Sequence, residues 1–277
     1  MADMADVRPF NTLAAGEGRG LADVADVADM SARADAADIE MYDSTKQEMT
    51  MPVISFVSPK GGVGKTTSAL LLATELAQHA SKVTVIDADP NLPIHKWSQL
   101  PGRPENLDVV ADTGESTIVD SIDDARNNSP FVIVDLEGAA SARVTNAISM
   151  SNLVLIPIQA SVLDADQAAR AIKLIRTTGK SQNRVIPYAI MFVRVAAAQR
   201  IRTRNYKAIA SQFHEAGIPS LDTAIAEREA YRSIFTHGGT LADLDPALTS
   251  SLGQARENAE QFAAEVIHMM KQARVAA

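Results

Sequence analysis

From residue 52 onward, short apolar runs alternate with longer segments of helical periodicity. Strand-like runs fall at 52–58, 82–87, 107–111, 131–135, 153–158, 185–193 and 218–221. Helix-like segments fall at 65–79, 116–126, 141–150, 164–178, 203–216, 228–235 and 249–273. The run Phe131-Val-Ile-Val134 is apolar without alternation, as expected of a strand buried on both faces of a parallel sheet. The pattern predicts an α/β fold: a mostly parallel twisted sheet with right-handed crossovers, helices on both faces, and ligands at the C-terminal ends of the strands.

Residues 1–50 break the pattern. They hold eleven Asp and Glu against four Lys and Arg, a net of −7 out of the chain's −8, which leaves about −1 for residues 51–277. Ala22-Asp-Val-Ala-Asp-Val-Ala-Asp-Met30 repeats every three residues, a period that suits neither a strand nor an amphipathic helix. The expected organisation is an acidic, disordered extension over 1–50 and one α/β domain over 51–277, beginning near Met51-Pro-Val-Ile-Ser-Phe56.

Composition narrows the chemistry. Aromatics make up only 4% of a chain that is 46% hydrophobic, so the core must be built from Ala, Val, Ile and Leu. The absence of cysteine removes disulfides and thiolate-held iron–sulfur clusters. No apolar run approaches the roughly 20 residues of a membrane span, and the N-terminus lacks a secretion signal, so the expected location is cytoplasmic.

The informative chemistry lies in Ser58-Pro-Lys-Gly-Gly-Val-Gly-Lys-Thr-Thr67, set between an apolar strand and a helix. A glycine-rich turn that opens a helix aims several backbone N–H groups and the positive end of the helix dipole at one point, which suits phosphate. The candidate cradle is Lys60, Gly61, Gly62, Val63, Gly64, Lys65, Thr66 and Thr67. In it Lys65 reaches the outer phosphates and the Thr66 hydroxyl takes a position on Mg²⁺. Pro59 stands where the ordinary motif has glycine, and a second lysine, Lys60, precedes the glycine pair. Two further strand ends carry carboxylates: Lys82-Val-Thr-Val-Ile-Asp-Ala-Asp89, with Asp87 and Asp89 spaced to project from one side, and Pro130-Phe-Val-Ile-Val-Asp135. Asp135 fits an aspartate that holds Mg²⁺ through water, and Glu137 just beyond it reads as a loop carboxylate.

Lys60-Gly-Gly-Val-Gly-Lys-Thr-Thr67 resembles the deviant Walker A loop of the ParA/MinD group of P-loop ATPases. The similarity is closest to partition ATPases without an N-terminal helix-turn-helix domain. It extends through Leu155-Ile-Pro-Ile-Gln159 and the segment bearing Arg228, Glu229, Arg232 and His237-Gly238, covering residues 51 to about 270. The resemblance implies ATP and Mg²⁺ as cofactors, with Thr66, Asp87 and Asp135 around the metal. It implies catalytic roles for Lys60, which crosses a homodimer interface to the partner's nucleotide, for Lys65, and for Asp89, which orients the attacking water. It further implies nonspecific DNA binding by the ATP dimer, nucleoid association in that state, and a ParB-like or other cargo adaptor that stimulates slow hydrolysis.

Candidate DNA contacts are Arg200, Arg202, Arg204 and Lys207, in a stretch without acidic residues, and Arg228 with Arg232, four apart on an expected helix. His237, beside two glycines, reads as structural. Two alternatives stay open. The chain resembles ParA-like recruiters of a conjugative relaxosome through Glu137-Gly138 and Leu92-Pro-Ile-His-Lys-Trp97. A MinD-like membrane ATPase would need the last helix as its anchor. That helix offers Phe262, Val266, Ile267, Met269 and Met270, but its polar face is acidic rather than basic, which favours core packing.

Overall fold

A computed structural model describes residues 51–79, 81–114, 116–138, 141–196 and 203–275. The acidic extension over 1–50, Arg200 and Arg202 therefore lie outside the described residues. Strands are β1 (Val53–Phe56), β2 (Val83–Ala88), β3 (Leu107–Ala111), β4 (Phe131–Leu136), β5 (Leu153–Ile158), β6 (Tyr188–Val195) and β7 (Ile225–Ala226). Helices are α1 (Lys65–Gln78), α2 (Pro93–Ser98), α3 (Ile118–Asn128), α4 (Ala142–Met150), α5 (Val162–Ser181), α6 (Arg204–Glu215), α7 (Glu229–His237) and α8 (Leu252–Val275).

The seven strands form one sheet in the order β3-β2-β4-β1-β5-β6-β7, every pairing parallel. Strands β1, β2, β4 and β5 are buried along their whole length, which explains their unbroken apolar runs. Alternate side chains feed two separate cores. Ile54, Phe56, Ile133 and Leu155 pack under α1, α2, α7 and α8, whereas Val132, Val134, Val154 and Ile156 pack under α3, α4, α5 and α6.

Helix α1 is buried almost all round, from Ser68 to Ala77. It covers the centre of the sheet and is itself covered by α8, so it has no solvent face to populate with charge. Phe262, Val266 and Ile267 of α8 are fully buried in this layer and Met270 is nearly so. The apolar side of the last helix is thus consumed by the core, as its acidic polar face predicts. Among the described residues no helix is long and apolar enough to cross a membrane.

Two expectations shift. The run 218–221 makes only an isolated bridge, Ser220 to Ile190, and the edge strand forms later, at Ile225–Ala226. Asn258 of α8 explains the position: its Oδ1 accepts from Ala226 N at 3.0 Å and its Nδ2 donates to Ala224 O at 2.9 Å. The sheet edge is closed by a side chain rather than by more strand. The second shift is α2, a short helix not expected from the pattern. Pro93 opens it, and Trp97, 2% exposed, plugs it into the core and donates to Gly239 O at 3.1 Å. Gly239 lies so close to Gly102 that a Cβ on Gly102 would sit 2.9 Å from the Gly239 Cα. The glycines after His237 therefore serve packing, and His237 itself is exposed at the end of α7.

Candidate nucleotide-binding site

Strand β1 ends at Phe56 and α1 begins at Lys65, leaving residues 57–64 as a loop over the C-terminal edge of the sheet. Gly62 (φ 68°) and Gly64 (φ 116°) adopt left-handed conformations that side chains with a Cβ disfavour, and the turn directs the first N–H groups of α1 outward. Val63 is buried and holds the loop down, while Gly61 and Gly62 are exposed. Thr66 and Thr67 are partly exposed on the first turn of the helix.

Lys65 is 6% exposed, and its Nζ donates to Lys60 O at 3.3 Å. Burial pushes its pKa below the usual lysine value, against the pull of Asp135, Asp89 and Glu137. One ammonium faced by several carboxylates suits a polyanion bound together with a divalent cation.

The register places Asp87 directly beside Asp135 on neighbouring strands, and Asp135 beside Phe56 of β1. Both carboxylates lie on the α1 side of the sheet. Asp135 is fully buried, and neither oxygen makes a well-formed hydrogen bond. The Thr66 hydroxyl beside it stabilises the ionised form, but burial dominates and pushes the pKa up to about 7. An orphaned buried carboxylate next to a P-loop threonine fits Mg²⁺ or its water shell. Asp87 is different. Its oxygens accept from His95 N at 2.8 Å and Asp89 N at 3.3 Å, so it pins the loop after β2 and the start of α2. Asp89, half-buried, accepts from Asn91 N and Asn91 Nδ2 through Oδ1 at 2.8 and 3.0 Å.

Lys60 reveals a partner that the sequence reading missed. Its Nζ lies 2.8 Å from Asp164 Oδ1, and Asp164 is 2% exposed. Ser161 caps α5 by accepting from Asp164 N at 3.1 Å and donates to Asp164 Oδ2 at 2.7 Å. The signal was available: Ser161-x-x-Asp164 before an apolar helix is a capping pattern. On the same turn Val162 and Leu163 are 73% and 74% exposed, an apolar pair flanking the lysine.

The expected basic surface is only partly assembled. Arg204 and Lys207 are exposed on α6, whereas Arg228 is 7% exposed. Arg228 precedes α7 in extended backbone, outside the helix that was to align it with Arg232. Its guanidinium turns inward against Tyr231. Arg232 is exposed and bridges to Glu227 at 3.0 Å. The pair thus forms no shared cationic face. A stripe not anticipated lies on α5, where Arg170, Lys173 and Lys180 are exposed on one face. Among the described residues none of the three is bridged to a carboxylate.

The chain matches the family model described as VirC1 protein over residues 51–270. It is 38% identical over 223 residues to Protein ParA of Rhizobium radiobacter, covering 80% of this chain and 99% of the relative. Among solved structures, apo McdA of Cyanothece superposes with a TM-score of 0.65 at 18% identity, covering 78% of this chain and 99% of McdA. The McdA–ATP complex superposes with a TM-score of 0.60 at 19% identity, covering 78% and 96%. With the P-loop, the paired strand-end aspartates and the all-parallel sheet in place, these matches put the chain in the VirC1/ParA family of P-loop ATPases.

Proposed function

We propose that the protein is an ATP-hydrolysing switch that dimerises with ATP, holds nonspecific DNA in that state, and so segregates or positions a plasmid, chromosome or other cargo. The observation that carries the reading is the convergence of Lys60, Lys65, Thr66, Asp89 and Asp135 around one glycine-rich loop at the C-terminal edge of the sheet. Lys65 would hold the outer phosphates, Thr66 and Asp135 would hold Mg²⁺ with Asp87 bracing the loop behind them, and Asp89 would orient water. The metal's contribution when bound is to neutralise charge on the phosphate oxygens.

Dimerisation is supported by two features. Lys60 sits at the surface, its side chain 43% exposed, and Val162 and Leu163 offer an apolar contact beside it. For Lys60 to reach a partner's phosphates, its pairing with Asp164 must open. DNA binding is supported by the unpaired cations of α5 and by Arg204 and Lys207 of α6, which lie on the same side of the sheet. Such contacts neutralise phosphates without reading bases. A ParB-like adaptor would accelerate hydrolysis and release the dimer. The VirC1 match and the Glu137-Gly138 segment favour a second reading of the cargo, a conjugative relaxosome recruited by the same switch.

Binding to a random-sequence duplex with ATP, ADP or no nucleotide, at two salt concentrations, tests the proposal. Asp89→Ala should bind ATP, remain dimeric and stay on DNA, and Lys65→Ala should lose nucleotide affinity. Binding that ignores nucleotide, or ATP turnover in Asp89→Ala equal to wild type, would refute it.

A further inference from the structure

One buried charge near the site has no role in the scheme so far. Arg143, the second residue of α4, is 7% exposed. Its Nη1 donates to Ala88 O at 2.9 Å, its Nε to Gly114 O at 3.3 Å, and its Nη2 to Thr113 O. Glu137 Oε1 lies 4.0 Å from Nη1 and supplies a facing charge. One planar guanidinium thereby ties together the loops that follow β2, β3 and β4.

Each loop has a consequence for the nucleotide. Ala88 O belongs to the peptide unit that joins Ala88 to Asp89, and a peptide unit is planar, so fixing the carbonyl fixes the plane from which Asp89 departs. Glu137 is followed by Gly138, where an added Cβ would lie 2.9 Å from the Gly61 N of the P-loop. The contacts therefore run without a gap from Gly61 through Gly138 and Glu137 to Arg143, and from there to Ala88 and Asp89. The loop after β3 is anchored independently. Asp112 accepts from Gly114 N at 3.0 Å, Thr117 Oγ1 at 2.7 Å and Ser121 Oγ at 2.5 Å. Losing Arg143 would leave that loop in place, and would leave the Ala88–Asp89 peptide with the longer 3.3 Å bond from Asp89 N to Asp87 Oδ1.

We infer that Arg143, backed by Glu137, is a positioning residue for ATP hydrolysis: it holds the Ala88–Asp89 peptide so that the Asp89 carboxylate keeps its orientation relative to the P-loop. The inference rests on the proposed hydrolysis. A lysine retains the charge but replaces the planar fork, whose Nε, Nη1 and Nη2 each bond a different carbonyl, with one ammonium nitrogen.

The experiment compares steady-state ATP hydrolysis and AMPPNP affinity for the full chain, Asp89→Ala, Arg143→Lys and Glu137→Gln, with melting temperatures as a control. Arg143→Lys should lower kcat by at least about tenfold while KM and AMPPNP affinity stay within about threefold, since misplacing a catalytic group costs turnover rather than binding. Glu137→Gln, which leaves the three carbonyl contacts intact, should lower kcat by a few fold in the same way. A wild-type kcat in Arg143→Lys overturns the inference, as does a loss that appears equally in AMPPNP affinity. If Arg143→Lys fails to fold, a wild-type kcat in Glu137→Gln overturns it instead. A wild-type chain that hydrolyses no ATP overturns the functional reading along with this one. If only the inference is wrong, wild type and Asp89→Ala still differ while Arg143→Lys matches wild type.

Discussion

Glu75 lies on α1, one helix length from the P-loop, and is 5% exposed in the layer between α1 and α8. Burial pushes its pKa up to about 7. Glu260 adds to the rise, and Arg256 opposes it while spending donors on Leu241 O and Ala242 O. An acid whose folded pKa lies above its unfolded value binds protons more tightly in the native state, so stability falls as pH rises between the two values. The penalty is absent below about 4.5 and complete above about 7. At about 1.4 kcal/mol per pH unit, the displacement corresponds to about 3 kcal/mol, and near pH 5 less than about 1 kcal/mol of it remains. Glu75→Gln keeps the shape and removes the ionisation. Relative to wild type it should gain about 2 kcal/mol between pH 5 and pH 8 in denaturant unfolding, or roughly 4–8 °C in melting temperature. Any change in hydrogen bonding by the amide moves the whole difference curve without altering its slope. Asp87 and Asp135, whose pKa values are also raised, contribute equally to both proteins and cancel. Parallel stability profiles for wild type and Glu75→Gln across this window would refute the reasoning.

Asp164→Asn removes the charge that holds Lys60 at 2.8 Å within its own subunit. Because Lys60 is partly exposed, the pairing is worth about 1 kcal/mol, and a symmetric dimer opens two of them, so ATP-dependent dimerisation in an Asp89→Ala background should tighten roughly 25-fold. Sedimentation equilibrium measures this, and an unchanged constant would show that the pairing does not compete with dimerisation. Lys173→Gln with Lys180→Gln should reduce the salt dependence of DNA binding by about one counterion per residue and leave ATP binding unchanged. A salt slope equal to wild type would move the DNA surface away from α5.

The fold was legible because two local signals agreed along the chain. Unbroken apolar runs such as Phe131-Val-Ile-Val134 require burial on both sheet faces, and the carboxylates at their ends require the edge where a ligand enters. Six of the expected strands stand close to their expected places. The seventh failed because a two-residue edge strand is specified by Asn258, far away in sequence, rather than by its own composition. Helix α2 was hidden for a related reason: at six residues it is too short to show a period, and its stability comes from Trp97 reaching Gly239. Arg228 was misplaced because a one-residue change in where α7 begins moves it from a helical face into extended backbone, which turns its side chain inward.

At the site itself, the residues read from sequence are those whose chemistry is local to a loop: the glycines, Lys65, Thr66, and the aspartates at strand ends. The residues that were missed act at a distance along the chain. Asp164 meets Lys60 across 104 positions, and Arg143 meets Ala88 across 55. Both are charged side chains buried to within a few per cent; Asp164 carries only the local Ser161-x-x-Asp164 capping pattern, which does not point to Lys60, and Arg143 carries no motif. Such charges are costly to bury unless they are paired, so their presence needs an explanation beyond packing. The sheet supplies it. Parallel strands deliver every loop that follows a strand to one edge, and those loops have no hydrogen-bonded ladder of their own to fix them. Asp164 holds Lys60, and Arg143 holds the peptide before Asp89. The Lys60 contact is a single charge pair on a partly exposed side chain, which a phosphate can replace, whereas the fork of Arg143 makes three carbonyl contacts and holds its peptide in place.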